Sequence, residues 1–556
     1  LQFIFGNSGS GRSHYLYQYI VEESIRHPDR NYLVLVPEQF TMQTQRDLCA
    51  AHPRGGIMNI DVLSFGRLAH RIFEETGGDH IPVLDDEGKN LILRRIAGGY
   101  GDELKVLGGN LKKQGYISEV KSVISEFTQY GVDFERLDSF METVNPDSYL
   151  YYKLQDIRKV YEGFEDYLSE KYITKEEMLD VLSSVVPDSG ILKDSVIAMD
   201  GFTGFTPVQN RLIGELLRVC SKVMLTVTMD RREEPFVYRH PYQLFGLSKQ
   251  MVTSLMQTGA ETGAEVEDPV YLYEVPPYRF RDNKAMAFVE SEIFRYSGRT
   301  FEGEQDSVSL HEARNPSAEA RYVAEEIRRL VRKEGWRYRD IAVIASDMNV
   351  YADALEKACG SLDIPVFMDY KKSILLNSFV EYLRSLLNMA EQNFTYESVF
   401  RHLRTGLCGF TEDETDRMEN YVVALGMKGY RKWQQAWVRR TPLTDEEELQ
   451  ALNHLRVEFV EKTSSLMTIL KQRKKTVRDI TLAVYDYLVQ EKLQEKLSEM
   501  EKQFQDQGEL ALAKEYSQVY RIVMELFDKF VELLGDEPIS LKEYCELLDA
   551  GLEEAK

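Results

Sequence analysis

Near its start the chain reads Phe3-Ile4-Phe5-Gly6-Asn7-Ser8-Gly9-Ser10-Gly11-Arg12-Ser13. Residues 6–13 have the spacing Gly-x4-Gly-Lys-Ser/Thr of a phosphate-binding loop, except that Arg12 replaces the lysine. An apolar run precedes the loop, and a helical pattern follows it, with apolar side chains four residues apart at Tyr17, Val21 and Ile25. In this strand–loop–helix order the loop amides and the helix dipole attract an anion. The stretch predicts an α/β fold with a nucleotide-binding loop, and this context disfavours a simple glycine-rich turn.

The arginine at position 12 bears on catalysis more than on binding. In this hypothesis Arg12 contacts the β- and γ-phosphates and Ser13 supports magnesium. A guanidinium is larger than an ammonium, planar and not interchangeable with it. Since the alignment of a transition state is sensitive to about 1 Å, we expect nucleotide turnover to suffer more than nucleotide binding.

The composition sets broad limits. The chain has 556 residues, of which 43% are hydrophobic and 29% charged, and a net charge of -23. This length predicts three or four domains of a globular protein. The charge excludes a generally basic surface but allows a local basic groove. We see no secretory signal and no apolar run long enough to span a membrane.

Cysteine and histidine spacing gives no sign of a metal site. The five cysteines include no C-x-x-C pair, and the nine histidines show no H-E-x-x-H spacing. Reduced cysteines in a cytoplasmic protein are the expectation. No catalytic residue of a nuclease or metalloprotease is visible.

Hydrophobic patterns divide the chain into alternating α/β and helical stretches. Residues 1–84 predict α/β structure, 85–190 a helical insertion and 191–306 a return to α/β, in which 231–306 look irregular. Residues 307–378 predict a second α/β piece, and 379–556 are helical. The predicted strands are Tyr32–Val36, Asp61–Phe65, Val196–Asp200, Val223–Thr228, Val308–Leu310, Ile341–Ala345 and Pro365–Met368.

Asp200 stands at the end of one predicted strand, where an acidic residue often supports magnesium in a phosphate-binding-loop site. An active ATPase also needs a neighbouring glutamate to orient water, but Gly201 follows, and no carboxylate comes before Glu215. For Asp200 alone, an ordinary strand–turn junction is an equally good interpretation. The phosphate-binding loop makes the magnesium role the better candidate.

Several segments resemble, in the same order, the B subunit of bacterial AddAB (RexAB) helicase–nucleases. They are Gly6–Ser13, Leu35–Thr41, Val62–Leu68, Asp200–Gln209, Tyr338–Val343 and Glu419–Val422. The resemblance spans essentially the whole chain and implies two RecA-like, superfamily 1 helicase-like units, each with a large helical insertion. The second unit is incomplete, so its remaining strands, the nuclease domain and its iron–sulfur cluster are expected beyond residue 556.

The resemblance also implies a function in homologous recombination. The B subunit of that family helps recognise the hotspot Chi in single-stranded DNA, while the A subunit (AddA or RexA) supplies the motor. The implied ligands are single- and double-stranded DNA, with ATP and magnesium as cofactors and no membrane. Arg12, Gly201 and Ser346, the last where related helicases carry an arginine, together imply a silent motor.

The resemblance assigns residues to two sites. The nucleotide site comprises Gly6, Asn7, Ser8, Gly9, Ser10, Gly11, Arg12, Ser13, Asp200 and Gln209. The DNA site comprises Gln39, Thr41, Phe65, Arg67, His70, Phe202 and Phe205. His70 falls where a relative has a tryptophan, which implies weaker stacking or a different hotspot. Because these DNA residues follow strand ends, they are expected to converge at the carboxyl edge of a parallel sheet.

Other interpretations remain open at this point. The chain could be a working ATPase and 3′–5′ helicase, or a scaffold for the A subunit. For any single DNA-site residue, a core or capping role is as good an interpretation as a DNA contact. The basic runs Arg328–Lys333 and Lys471–Lys475 are typical of solvated helix faces.

Overall fold

A computed structural model describes residues 1–77, 82–110, 116–169, 171–370, 373–442 and 444–555. The chain divides into two compact units. The α/β unit comprises Leu1–Pro82, Gln129–Gly131 and Lys175–Lys371, and the helical unit comprises Val83–Thr128, Val132–Thr174 and Lys372–Lys556.

Among the described residues, eight strands form two parallel sheets. The strands are β1 (Gln2–Gly6), β2 (Tyr32–Leu35), β3 (Ile60–Leu63), β4 (Val83–Leu84), β5 (Ile173–Thr174), β6 (Val196–Met199), β7 (Lys222–Thr228) and β8 (Val270–Leu272). The main sheet has the order β3-β2-β6-β7-β1-β8, and β4 pairs with β5 in the helical unit. Every pairing between these strands is parallel. The predicted mixed α/β class is therefore confirmed.

The α-helices occupy most of the remaining chain. In chain order they are α1 (Arg12–Arg26), α2 (Thr41–Ala51), α3 (Phe65–Thr76), α4 (Asp86–Tyr100), α5 (Tyr116–Tyr130), α6 (Phe134–Glu142), α7 (Tyr149–Leu168), α8 (Met178–Val185), α9 (Pro207–Val219), α10 (Gly246–Thr262), α11 (Lys284–Glu292), α12 (Pro316–Glu334), α13 (Met348–Ser361), α14 (Ser378–Glu391), α15 (Tyr396–Leu403), α16 (Glu412–Ala424), α17 (Tyr430–Gln434), α18 (Glu446–Leu470), α19 (Val477–Gln490), α20 (Leu493–Asp506), α21 (Leu510–Leu534) and α22 (Leu541–Glu554). Among the described residues, no helix is both long and apolar enough to cross a membrane.

The main sheet is built from continuous apolar runs. Phe3, Ile4 and Phe5 of β1 have no exposed surface, and every residue of β2 and β6 is buried. Strands of parallel sheets are continuously apolar because helices usually cover both faces of such a sheet. Helix α1 follows β1, α2 follows β2 and α9 follows β6, so the loops that precede these helices lie at the carboxyl edge of the sheet.

Three predicted strands are absent. Val308–Leu310, Ile341–Ala345 and Pro365–Met368 are irregular, although α12 forms between the first two as predicted. Leu310, Ile344 and Phe367 are at least 90% exposed. A strand needs a neighbour for its backbone groups, and the described chain offers these segments none. Their apolar runs therefore misled the prediction, and a second RecA-like sheet does not occur among the described residues.

The prediction for residues 231–306 was also wrong in part. This segment contains the 17-residue helix α10, the helix α11 and the edge strand β8. Strand β8 has three residues, of which Tyr271 is half exposed, so its apolar signal was weak.

The helical unit has one large apolar core. Buried residues of α4, α5, α7, α14, α18, α19, α21 and α22 contribute to it, with Trp433, Phe459 and Phe530 among its largest side chains. The predicted helical segments 85–190 and 379–556 both supply residues to this core.

Candidate nucleic-acid interface and phosphate-binding loop

The loop Gly6–Ser13 lies between β1 and α1, as a phosphate-binding loop must. Gly9 and Gly11 have φ values of 76° and 91°, in the left-handed region that favours glycine. Ser10 N donates to Asn7 O at 3.2 Å, which closes a turn inside the loop. The sequence prediction of strand, loop and helix in this order is confirmed.

The Arg12 side chain is bound to the protein itself. Its Nη1 donates to Thr228 Oγ1 at 2.7 Å, at the end of β7. Burial lowers the pKa of the Arg12 guanidinium, and the nearby charge of Asp200 opposes that shift. Arg12 therefore reaches along the sheet edge to a hydroxyl group.

Asp200 is buried and its carboxylate oxygens accept hydrogen bonds from side chains of the same unit. Tyr17 Oη donates to Oδ2 at 2.8 Å, and Thr226 Oγ1 donates to Oδ1. The Tyr17 hydroxyl also lies 3.2 Å from Thr44 Oγ1 of α2. Burial, with Asp200 as a further cause, raises the pKa of Tyr17. The Asp200 carboxylate thus accepts two hydrogen bonds within the protein, and its predicted magnesium role stays a prediction.

A turn of the chain lies on the loop. Arg279 N donates to Gly9 O at 3.0 Å, and a Cβ added at Gly9 would stand 2.9 Å from Arg279 Cβ. Asn7 Nδ2 donates to Glu290 Oε2 at 3.1 Å, which places a carboxylate beside the loop. Such a charge repels phosphate. One observation instead favours a ligand at the loop: Ser10 Oγ is buried without a hydrogen-bond partner among the described residues.

Gln209 has a structural partner. It forms a capping box at the start of α9, in which Thr206 N donates to Gln209 Oε1 and Gln209 N donates to Thr206 Oγ1. The residue predicted for nucleotide contact thus satisfies the helix terminus. Among the described residues, no group of three or more His, Cys, Asp or Glu could hold a metal ion.

Three phenylalanines meet beyond β3 and β6. The ring centres of Phe65 and Phe202 are 5.5 Å apart, those of Phe202 and Phe205 5.1 Å, and those of Phe65 and Phe205 6.1 Å. Phe65 is only 7% exposed, whereas Phe202 and Phe205 are half-buried. Phe65 therefore supports the two outer rings from below.

The loop after β2 packs against the loop after β6. Gly201 has a φ of 80°, and a Cβ added there would lie 3.5 Å from Pro37 Cδ and 3.8 Å from Phe40 Cδ2. Phe40 itself is 47% exposed. Since β3, β2 and β6 are neighbours in the sheet, the three loops share one edge. We call this surface, formed by residues 37–41, 64–70 and 200–206, the sheet-edge cluster.

The other predicted DNA residues differ in accessibility. Gln39 and His70 are exposed, and Arg67 Nε lies 3.2 Å from Glu38 Oε1 in an exposed ion pair. Thr41 is buried and its Oγ1 donates to Glu38 O at 3.0 Å. The structure thus brings Gln39, Arg67 and the outer rings to the surface of the cluster, while Thr41 and Phe65 hold it together.

Sequence patterns did not reveal the contacts made by Tyr17, Thr226 and Thr228. Tyr17 was noted only as one apolar position of α1, because a helical stripe does not show where a hydroxyl group points. The turn at Tyr278–Phe280 lay in the segment that looked irregular.

The chain matches two family models. The model described as ADDB, N-terminal, matches residues 3–290, and the UvrD-like helicase C-terminal domain matches residues 285–550. Three similar relatives are each named as the B subunit of an ATP-dependent helicase/deoxyribonuclease. They come from Lachnoclostridium phytofermentans (42% identical), Caldanaerobacter subterraneus subsp. tengcongensis (33%) and Acetivibrio thermocellus (31%).

Each of these alignments covers 100% of this chain and 48% or 49% of the relative. The chain thus spans about half the length of the curated relatives it matches. The family model over the first half, the helicase model over the second and the alignments that cover all of this chain agree with one another. The chain therefore belongs to the AddB family, the B subunits of ATP-dependent helicase/deoxyribonucleases.

Proposed function

We propose that this chain is the DNA-binding, helicase-like part of a B subunit that processes double-strand DNA ends for homologous recombination. In this proposal the sheet-edge cluster reads single-stranded DNA and recognises Chi, and the phosphate-binding loop does not drive a motor. The observation that carries the proposal is the meeting of polar side chains, aromatic rings and a cation at the ends of three neighbouring strands.

The chemistry of the cluster suits an unpaired strand. Half-buried rings such as Phe202 and Phe205 offer faces on which bases stack, and this stacking tolerates any base. Gln39 supplies an amide that can both donate to and accept from a base edge. The exposed pair of Arg67 with Glu38 is worth only about 0–1 kcal/mol, so Arg67 can exchange it for a phosphate.

The silent motor is supported by the loop and its surroundings. Arg12 replaces the catalytic lysine, and Gly201 stands where a glutamate would follow Asp200. Asp200 accepts hydrogen bonds from Tyr17 and Thr226, so part of its acceptor capacity is used within the protein. Helicases of this class use ATP and a metal ion, and these substitutions remove side chains that such turnover requires.

Alanine substitutions separate DNA reading from a scaffold role. Phe202→Ala with Phe205→Ala should weaken single-strand binding by about 1–3 kcal/mol per stacked base, and Gln39→Ala with Arg67→Ala should reduce the response to the hotspot. The matched control is Arg46→Ala, an exposed arginine of α2 outside the cluster. Unchanged affinity and hotspot response in the cluster variants would favour the scaffold alternative.

ATP turnover separates a silent motor from a working 3′–5′ helicase. We would assemble the complete B subunit with its A subunit (AddA or RexA) carrying an inactivated motor, and measure DNA-stimulated ATP hydrolysis. The proposal expects no hydrolysis above background. Robust DNA-stimulated hydrolysis that is lost on Arg12→Ala would establish the ATPase alternative.

The complete subunit carries the remaining activities in this proposal. We expect the nuclease and the iron–sulfur cluster in the half of the relatives that this chain does not match. The five cysteines of the chain are free, and the described residues include no metal-binding group that would suit a cluster.

A further inference from the structure

Six cations lie on two neighbouring segments of the helical unit. Lys428, Arg431 and Lys432 lie at α17, and Lys471, Arg473 and Lys474 follow the end of α18; we call these six residues the basic patch. Residues 420–444 and 462–478 contain no Asp or Glu, although the chain has 91 acidic and 68 basic residues. The two segments therefore form a local region of positive charge in an acidic protein.

The fold brings the two segments together. Lys471 Nζ lies 3.6 Å from the centre of the Tyr430 ring, so the end of α18 contacts the start of α17. Burial lowers the pKa of Lys471, and the positive charge of Arg431 lowers it further. The cations of the two segments therefore lie close enough to repel one another, although they are 40 residues apart in sequence.

A rigid aromatic base holds α17 in place. Trp433 is fully buried, its ring centre is 5.2 Å from that of Trp437, and Arg456 Nη1 donates to Trp433 O at 2.7 Å. Arg431 and Lys432 precede Trp433 and are exposed. Because the backbone is fixed by the core, these charges are held on the surface without a large cost in backbone entropy on binding.

The cations of the patch are not neutralised. Within the described ranges, no carboxylate oxygen lies within the 4.0 Å limit of an ion pair from any of the six side chains. In the other basic run, Arg329 pairs with both Glu326 and Glu334, whereas Arg332 and Lys333 also lack an ion pair among the described residues. The patch differs in that all six of its cations, from two segments that contact each other, lack such a partner.

We propose that the basic patch binds the phosphate backbone of DNA, as a second contact surface separate from the sheet-edge cluster. DNA is favoured over an acidic protein because the patch pairs cations with the exposed amides of Gln434, Gln435 and Gln472, which donate to phosphate oxygens. The aromatic side chains at the patch are buried, so it lacks a face for base stacking. The contact is therefore independent of sequence. The inference rests on the proposed function only in taking DNA as the ligand.

Salt-dependent binding tests the patch. The variants are Arg431→Gln with Lys432→Gln, Arg473→Gln with Lys474→Gln, and all four together, in the 556-residue chain. The control is Arg332→Gln with Lys333→Gln, which removes two exposed cations of α12. Fluorescence anisotropy would give Kd for labelled duplex and single-stranded DNA between about 50 and 200 mM NaCl.

Each lost phosphate contact should reduce the slope of log K against log salt by about 0.9 for duplex and about 0.7 for single strands. The fourfold variant should thus lose about 3.6 of the duplex slope, and about tenfold or more in affinity at about 50 mM NaCl. Comparing the reduction in slope for duplex DNA with that for single-stranded DNA shows which form of DNA occupies the patch. Circular dichroism should show the same melting curve for all variants, because the substituted side chains are exposed.

Several results would overturn the inference. Slopes equal to those of the unchanged chain, or an equal reduction in the control, would show that the patch does not contact DNA. Loss of binding to polyglutamate or to anionic vesicles, with DNA binding intact, would assign the patch to another partner. If sheet-edge variants lose single-strand binding and patch variants lose binding to neither form of DNA, this inference fails while the proposed function stands. If patch variants lose DNA binding and sheet-edge variants do not, only the DNA-reading role of the cluster is refuted.

Discussion

At the scale of single residues, Asp200 links three elements of the α/β unit. Its carboxylate accepts from Tyr17 of α1 and Thr226 of β7, and Tyr17 in turn lies within hydrogen-bond distance of Thr44 in α2. Helix α2 begins directly after the Gln39 loop. Through Tyr17, this network therefore ties α1 to α2 and to the loops of the sheet-edge cluster.

Tyr17→Phe should destabilise the chain without changing its shape. The substitution leaves Asp200 Oδ2 without its donor, and hydrogen bonds to charged groups contribute about 1.5–3 kcal/mol. Urea unfolding should show a loss of this size. Tyr15→Phe is the control, since no hydrogen bond of its hydroxyl group occurs among the described residues, and it should cost less than about 0.5 kcal/mol. Equal losses in both variants would show that the Tyr17–Asp200 bond contributes nothing.

His402 gives the helical unit a dependence on pH. The ring is fully buried, its Nδ1 lies 3.1 Å from Ser385 Oγ, and it packs against the Tyr382 ring at 4.5 Å. Burial lowers the pKa of His402 to about 3. An unfolded histidine has a pKa of about 6.5, so between these values the unfolded chain binds a proton that the folded chain does not.

The free energy of unfolding should therefore fall as the pH is lowered below about 6.5, by up to about 1.4 kcal/mol per pH unit. Between about pH 7 and pH 5 the contribution of His402 changes by about 2 kcal/mol. The difference in unfolding free energy between the unchanged chain and His402→Gln should change by this amount. Exposed His454→Gln should show no such change with pH, and identical pH profiles for the two variants would refute the account.

At the scale of elements, the capping box of α9 holds the end of the sheet-edge cluster. Thr206→Ala removes the acceptor for Gln209 N and should lower the free energy of unfolding by about 1 kcal/mol, within a range of about 0.5–2 kcal/mol. Thermal or urea unfolding measures the change. Thr206→Ser keeps the oxygen and should retain most of the stability. A Ser variant as unstable as the Ala variant would show that the cap is not the cause.

The strands that were predicted correctly from the sequence are those with a second strand beside them. The runs of β1, β2, β6 and β7 are apolar and pair with one another, so the expectation of buried strands held. The runs at 308–310, 341–345 and 365–368 are similar in composition but have no partner in the described chain. A local pattern reports the apolar character of a segment, whereas a strand also needs a second segment beside it.

The sequence predicted which strand ends form the candidate site. Parallel topology alone places residues 37–41, 64–70 and 200–206 at one edge, and the structure brings these loops together. Sequence did not show that Thr41 points to a backbone carbonyl, that Phe65 lies under Phe202, or that Arg12 reaches Thr228. Those outcomes depend on side-chain direction, which spacing does not specify.

At the scale of the whole molecule, the chain is acidic but concentrates cations and aromatic rings at particular surfaces. The net charge of -23 repels DNA in general. Binding must therefore come from local features, and we expect it to be weak for single strands and strongly dependent on salt. Each unit carries one such feature: the sheet-edge cluster in the α/β unit and the basic patch in the helical unit.

The central claim, that the sheet-edge cluster holds single-stranded DNA, is tested most directly by photo-crosslinking. Single-stranded DNA carrying 5-iododeoxyuridine would be irradiated with the chain, and the modified residues identified by mass spectrometry. The account predicts adducts on Phe40, His70, Phe202 or Phe205, which unlabelled single strands abolish by competition and which are lost in Phe202→Ala with Phe205→Ala. Competed adducts that lie only outside residues 37–41, 64–70 and 200–206 would contradict it.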